Sequence, residues 1–159
     1  MIKTAMRQLF VGWALILFIV GVSLQGANTS FEGYWKTIDD STHELKSIVK
    51  IWQEKGELKG RIVKIFPKPD EDPDPVCDKC KGDKKDQKVL GMIFMWQFVR
   101  DGNRWVEGKI LDPENGKVYH CSLELAGRGQ KLKVFGYIRI IFKIGRTQTW
   151  LRASEKNLK

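Results

Sequence analysis

Past residue 28 the chain alternates apolar and polar positions with a period of two, and turn residues interrupt it at short intervals. That pattern belongs to strands with one buried face rather than to helices. Residues 33–39 (GYWKTID) open as a strand. Residues 45–54 set Leu45, Ser47, Val49 and Ile51 on one face and Ile48 and Trp52 on the other. Lys55-Gly56 then predicts a tight turn that returns residues 57–66 as a hairpin partner. Residues 92–99 (MIFMWQFV) are apolar at almost every position. Asp101-Gly102-Asn103 turns the chain into 104–111, and the D-P-E-N-G run at 112–116 turns it again into 117–125. Gly127-Arg128-Gly129 precedes a strand over 130–142, and Gly145 is expected to separate it from a last strand over 147–152. The polar tail, 153–159, is expected to fray.

Strand following strand, with no crossover helix between them, excludes a doubly wound fold. Eight sequential antiparallel strands predict an all-β domain, either an up-and-down barrel or a sandwich. Closure removes the unpaired edges of an open sheet, so the barrel is the preferred reading. One connection is long: residues 67–90 hold Pro, Cys, Asp and Lys with little to bury.

The first 27 residues differ from everything after them. Lys3 and Arg7 precede an apolar run over 9–24, and small residues follow at Gly26 and Ala27. A basic head, an apolar stretch and a small-residue exit predict a signal peptide. The run is shorter than the about 20 residues a spanning helix needs, which favours removal near Ala27 over retention as an anchor. The organisation read here is a leader at 1–27, a domain at 28–152 and a tail at 153–159, in a protein that is periplasmic or secreted. Beyond the leader, 26 basic and 19 acidic side chains leave a net charge of +7. Export argues against nucleic acid as the partner of this charge, and the spread of the lysines reads as a dispersing surface, with peripheral envelope contacts as the other use.

Several stretches together carry a resemblance. Gly33-Tyr34-Trp35-Lys36-Thr37 opens the domain, and its C-terminal half holds GKILDPENGKVY at 108–119, LKVFGY at 132–137 and GRTQTWLR at 145–152. In order and spacing this resembles DUF2147, an uncharacterised family of the bacterial envelope. The resemblance implies a secreted or periplasmic β-barrel similar to lipocalins, with no established enzymatic activity. A departure stands at Arg139, followed by Ile140, Ile141 and Phe142, where the resemblance leads one to expect a small residue. Lipocalins open with Gly-x-Trp and close with an Arg that stacks on that Trp. The likeness implies that Gly33, Trp35 and Arg152 take these places and shut one end of the barrel, a structural role, through a cation–π contact of about 2 kcal/mol if desolvated.

Residues able to carry chemistry are few. Cys77 and Cys80 stand in C-x-x-C spacing in the long connection, and in an oxidising compartment a disulfide between them is expected. A dithiol redox centre would want its thiolate at a helix N-terminus, and 81–86 (KGDKKD) offers no apolar helix face. Zinc would need His120 and Cys121 as well, yet strand neighbours point to opposite faces. Cys121 shares its face with Tyr119, Leu123 and Leu125 and reads as a buried thiol, whereas His120 and His43 read as solvated. Pro67, Pro69, Pro73 and Pro75, spaced in and around the acidic run at 70–74, prevent an EF-hand-like calcium loop. No nucleophile and base stand in a recognisable context. No metal, no cofactor and no enzymatic activity are expected.

The aromatic content remains. Strict alternation over 92–99 puts Phe94, Trp96 and Phe98 on one face and Ile93, Met95 and Val99 on the other, so an apolar outer face would need covering by the long loop or a second subunit. Residues 137–142 raise the same question and suggest a homodimer contact. An eight-stranded barrel is filled by its side chains or just able to hold one small ligand. The expected function is therefore an exported, non-enzymatic barrel that binds a small hydrophobic or amphipathic molecule between Trp52, Phe94, Trp96 and Phe98. The alternative is a structural or adaptor protein of the envelope, with a filled barrel acting through its outer apolar face and basic loop.

Overall fold

A computed structural model describes residues 29–39 and 41–158, so the leader lies outside the described residues. Eight antiparallel strands follow one another around a closed barrel, each paired with the next and the last with the first. They are β1 (Gly33–Ile38), β2 (Leu45–Glu54), β3 (Glu57–Ile65), β4 (Ile93–Asp101), β5 (Arg104–Asp112), β6 (Lys117–Ala126), β7 (Lys131–Arg139) and β8 (Lys143–Ala153). The start of β1, the end of β8 and the β2–β3, β4–β5 and β6–β7 turns share one end, the base. The other four connections share the opposite end.

The base is shut by a cluster built on Trp35. Its indole is fully buried, and its N–H donates to the Phe31 carbonyl at 2.9 Å. The Arg152 guanidinium lies over the ring, 4.1 Å from its centroid. The same guanidinium donates to the carbonyls of Gly129 (2.6 Å), Ser30 (2.6 Å) and Glu32 (3.2 Å). One side chain thus ties the segment before β1, the β6–β7 turn and β8 together. Gly33, at φ +118, admits this approach: a Cβ there would stand 3.4 Å from Arg152 Nη1 on a backbone that other residues rarely adopt. A second guanidinium, that of Arg100, stands over Phe31 and Trp105 at 5.7 and 5.6 Å.

The interior does not follow strict alternation. Gln97 and Glu107 sit at φ +60 and +55, and the register slips beside each of them. A second slip falls at Phe94, between the pairs Arg61–Ile93 and Gly60–Met95. Each bulge adds a residue and reverses the faces beyond it. Phe94, Met95 and Phe98 are therefore all buried in the core, Trp96 is half-buried against it and Val99 is 59% exposed. This corrects the face assignment expected for 92–99. Glycines make the room: a Cβ on Gly60 would meet Met95 Sδ at 2.9 Å, and one on Gly108 would enter the Phe98 ring. Trp52 does not face inward. It neighbours the buried Ile51 and turns to the outer wall, with the Arg61 guanidinium 5.4 Å from its ring.

Two boundaries also differ from the sequence reading. The β7–β8 turn falls at 140–142, and Gly145 lies within β8. That glycine answers to packing: a Cβ there would stand 2.6 Å from the Cβ of Tyr137, its register partner. The tail is folded rather than frayed. Glu155–Leu158 forms a 3-10 turn on the outer wall, where Lys64 Nζ donates to the Asn157 and Leu158 carbonyls at 3.3 Å.

Replacing Arg152 by Ala should lower the urea midpoint measurably, since the indole contact alone contributes about 1 to 2 kcal/mol and three carbonyls lose their donor. Arg152→Lys keeps the charge but lacks the fork, so it should recover only part of the loss.

Candidate functional site

The barrel is fastened unevenly along its seam. β1 and β8 pair through three residues near the base, Tyr34 with Ala153, Trp35 with Arg152 and Lys36 with Leu151. Beyond them, residues 143–149 of β8 pair with β7 alone, while Thr37 and Ile38 pair with β2 alone. The seam therefore opens away from the base and leaves a mouth between β1 and β8.

The inner lining of that mouth follows from register. Trp150 is buried in the core, so Gln148 and Arg146, the next inner positions on β8, face the open end. Arg146 is exposed and Gln148 half-buried, and Gln148 Oε1 accepts the Trp150 indole N–H at 3.3 Å. Arg146 pairs with Gly136, whose missing side chain leaves a notch beside Ile110, with Ile110 Cγ2 4.0 Å from where a Cβ would be. Across the seam Thr37 and Ser47 join hydroxyls at 2.8 Å. Deeper in, Phe94 and Trp150 approach with ring centroids 6.3 Å apart. The mouth thus combines an apolar floor, two hydroxyls, an amide and a guanidinium.

Of the aromatic residues named from the sequence, Phe94 belongs to this floor, Phe98 lies in the packed interior, Trp96 stands half-buried at the wall and Trp52 is outside. Arg146, Gln148 and Gly136 went unnoticed. Their signal was parity: two polar residues in phase with Trp150, opposite a glycine inside a strand.

The long connection is a folded cover. Val76 bridges to Lys88, and Cys77 N–H donates to the Gln87 carbonyl at 2.8 Å. Cys77 and Cys80 are joined in a disulfide and buried within the barrel's apolar cluster. The Lys79 backbone lies on Gly116, at φ +68, where any Cβ would collide with it, and Lys79 Nζ donates to the Glu114 carbonyl at 3.1 Å. The loop therefore has something to bury after all, and its sulfurs are withheld from an attacking thiolate.

On the outer wall Tyr137 is 1% exposed although it points away from the core. His120 and Phe135 stack on it at 5.4 and 5.1 Å, and Lys143 Nζ stands 4.7 Å from its ring centre. Glu107, thrown outward by its bulge, receives Arg139 Nη2 at 2.7 and 2.8 Å, which draws its carboxyl below the ordinary range. Burial, then the charges of Lys109 and Arg139, push the His120 imidazole down from 6.5. His120 is thus a stacked wall residue, not a freely solvated one. Among the described residues no three His, Cys, Asp or Glu side chains gather as a metal site requires.

A family model described as "Uncharacterized protein conserved in bacteria (DUF2147)" matches residues 33–152. Among solved structures the chain is similar to protein HP1028 from the human pathogen Helicobacter pylori, described as belonging to the lipocalin family. The two are 19% identical over 81% of this chain and 88% of that one, with a TM-score of 0.68. At that identity the likeness speaks for the fold. No curated protein matches the chain.

Ellman's reagent should find no reactive thiol in the native, unreduced protein, one after unfolding and three after unfolding with reduction, because Cys121 is buried and the other two are paired. His120 makes stability depend on pH. Its folded-state pKa is depressed, so the unfolded chain takes up the proton first, and its contribution, complete above the ordinary imidazole value, is lost as pH falls below it. The imidazole should titrate below 6.5 by NMR, and His120→Gln should flatten the acid-side fall in Tm.

Proposed function

This chain belongs to the DUF2147 family, and we propose that it is a binding protein, not an enzyme, that holds a small amphipathic molecule in the mouth of its barrel. The observation that carries this reading is the inward Arg146 above an apolar floor. An anionic head group would meet the guanidinium and Gln148, while an apolar tail would enter the Gly136 notch and reach Ile110 and Phe94. Small-molecule sites typically combine apolar walls with a few polar groups that fix orientation. We also propose that it works outside the cytoplasm. The leader pattern at 1–27 and a buried cystine, stable where the surroundings oxidise, both support this.

A second reading, a structural or adaptor protein of the envelope, draws support from the packing of the lower interior, where Gly60 and Gly108 leave no room against Met95 and Phe98. The two readings separate on one titration. A fluorescent fatty acid such as cis-parinaric acid should bind saturably and take up energy from the protein's tryptophans. Arg146→Glu should weaken it about tenfold or more, the scale of one charge-assisted hydrogen bond, and Gly136→Phe should block it. Absence of saturable binding, or equal binding by the Gly136→Phe variant, would sink the mouth and favour the solid barrel.

A further inference from the structure

The β7–β8 hairpin ends in a tip over which none of the described residues folds. Ile140, Ile141 and Phe142 are 70%, 89% and 68% exposed, and Ile138 and Ile144 behind them are about half exposed. Of the ten large apolar side chains exposed among the described residues, five lie within residues 138–144 at this end of the hairpin. Single exposed apolar residues need no explanation, but a concentration of this kind marks a contact surface.

The hairpin also stands out from the barrel. Among the described strands, residues 143–149 of β8 pair with β7 alone, so none of those strands flanks the hairpin on the seam side. Its two faces differ. Ile138 and Ile144, in register with each other, face the mouth, and Arg139 and Lys143, also paired, face outward. Arg139 and Lys143 both reach Glu107 on β5, so two positive charges meet one negative at the shoulders of the hairpin.

We infer that this hairpin is a lipid-docking wedge: residues 140–142 enter the apolar layer of an anionic membrane, and Arg139 and Lys143 rest among its head groups. A flat protein partner would cover one face of the hairpin and leave the tip and the other face in water. A lipid surface surrounds a wedge on every side, solvating apolar tip and basic shoulders at once. The positive balance selects anionic over neutral lipid. The inference does not require the mouth to hold a ligand. If it does, docking sets the opening, edged by Ile138 and Ile144, against the bilayer.

The test uses the full chain with one environment-sensitive fluorophore on an Ile141→Cys variant, and an Asn103→Cys variant labelled at the base as the reference. The native cysteines are paired or buried, so the new thiol takes the label. With vesicles containing phosphatidylglycerol, the tip label should shift to the blue, brighten and be quenched by spin-labelled acyl chains, while the base label stays as in water. The tip signal should weaken with added salt and with pure phosphatidylcholine, and should vanish when Ile140→Asp and Phe142→Asp are added to the labelled chain. Unchanged thermal melting would show that those variants still fold, as the exposure of both residues leads one to expect. No shift at the tip overturns the inference. So do equal shifts at tip and base, which would mean that the apolar run at 9–24 carries the chain to the bilayer without the hairpin. Equal shifts with neutral and anionic lipid remove the charge selection, and a shift without vesicles that grows with protein concentration assigns the hairpin to a second copy.

Discussion

The contact between Arg152 and Trp35 governs more of this architecture than any single strand pairing, because a row of eight strands becomes a barrel only when the last finds the first. The β1–β8 ladder is short, three residue pairs, and a ladder of that length is a weak fastener by itself. The guanidinium reinforces it from inside by lying on a buried indole and donating to three carbonyls, two in the segment before β1 and one in the β6–β7 turn. Its planar fork suits this, since one group serves several acceptors in fixed directions while its face rests on a ring.

Fastening at one end shapes the other. Below, the interior is packed until glycines are the only residues that fit, with Gly60 under Met95 and Gly108 under Phe98. Above, the seam parts, and inner positions of β8 carry an amide and a guanidinium in place of core residues. The long loop takes its place on the far side of that opening, clamped by its cystine and by Lys79 on Gly116. The two halves thus differ in kind, one a plug and the other a rim.

Much of the fold was legible from alternation and turn residues. Eight strands, their order, their closure and the cystine in the long connection could all be read from the chain. What alternation could not disclose were the bulges. Gln97 and Glu107 adopt left-handed conformations unusual for such residues, and each resets the faces of the strand beyond it. The face assignment over 92–99 failed for that reason. Gly145 misled in a different way: glycine suggests a turn, yet here it clears space for Tyr137 on the outer wall. Arg146 and Gln148 were hidden because they are ordinary polar residues, given meaning only by their register with Trp150.

The barrel's clasp joins groups 120 residues apart in the chain, from Glu32 to Arg152. A ribosome delivers those partners in order, so β1 emerges with one edge bare and keeps it bare until nearly the whole domain has been made. Loop-closure entropy delays so distant a meeting, and folds dominated by remote contacts assemble slowly. During that interval the unfinished sheet is an open template for stray strands. Shielding of the nascent chain, by a chaperone or by rapid translocation, is therefore a demand that the circular topology makes on whatever cell produces it.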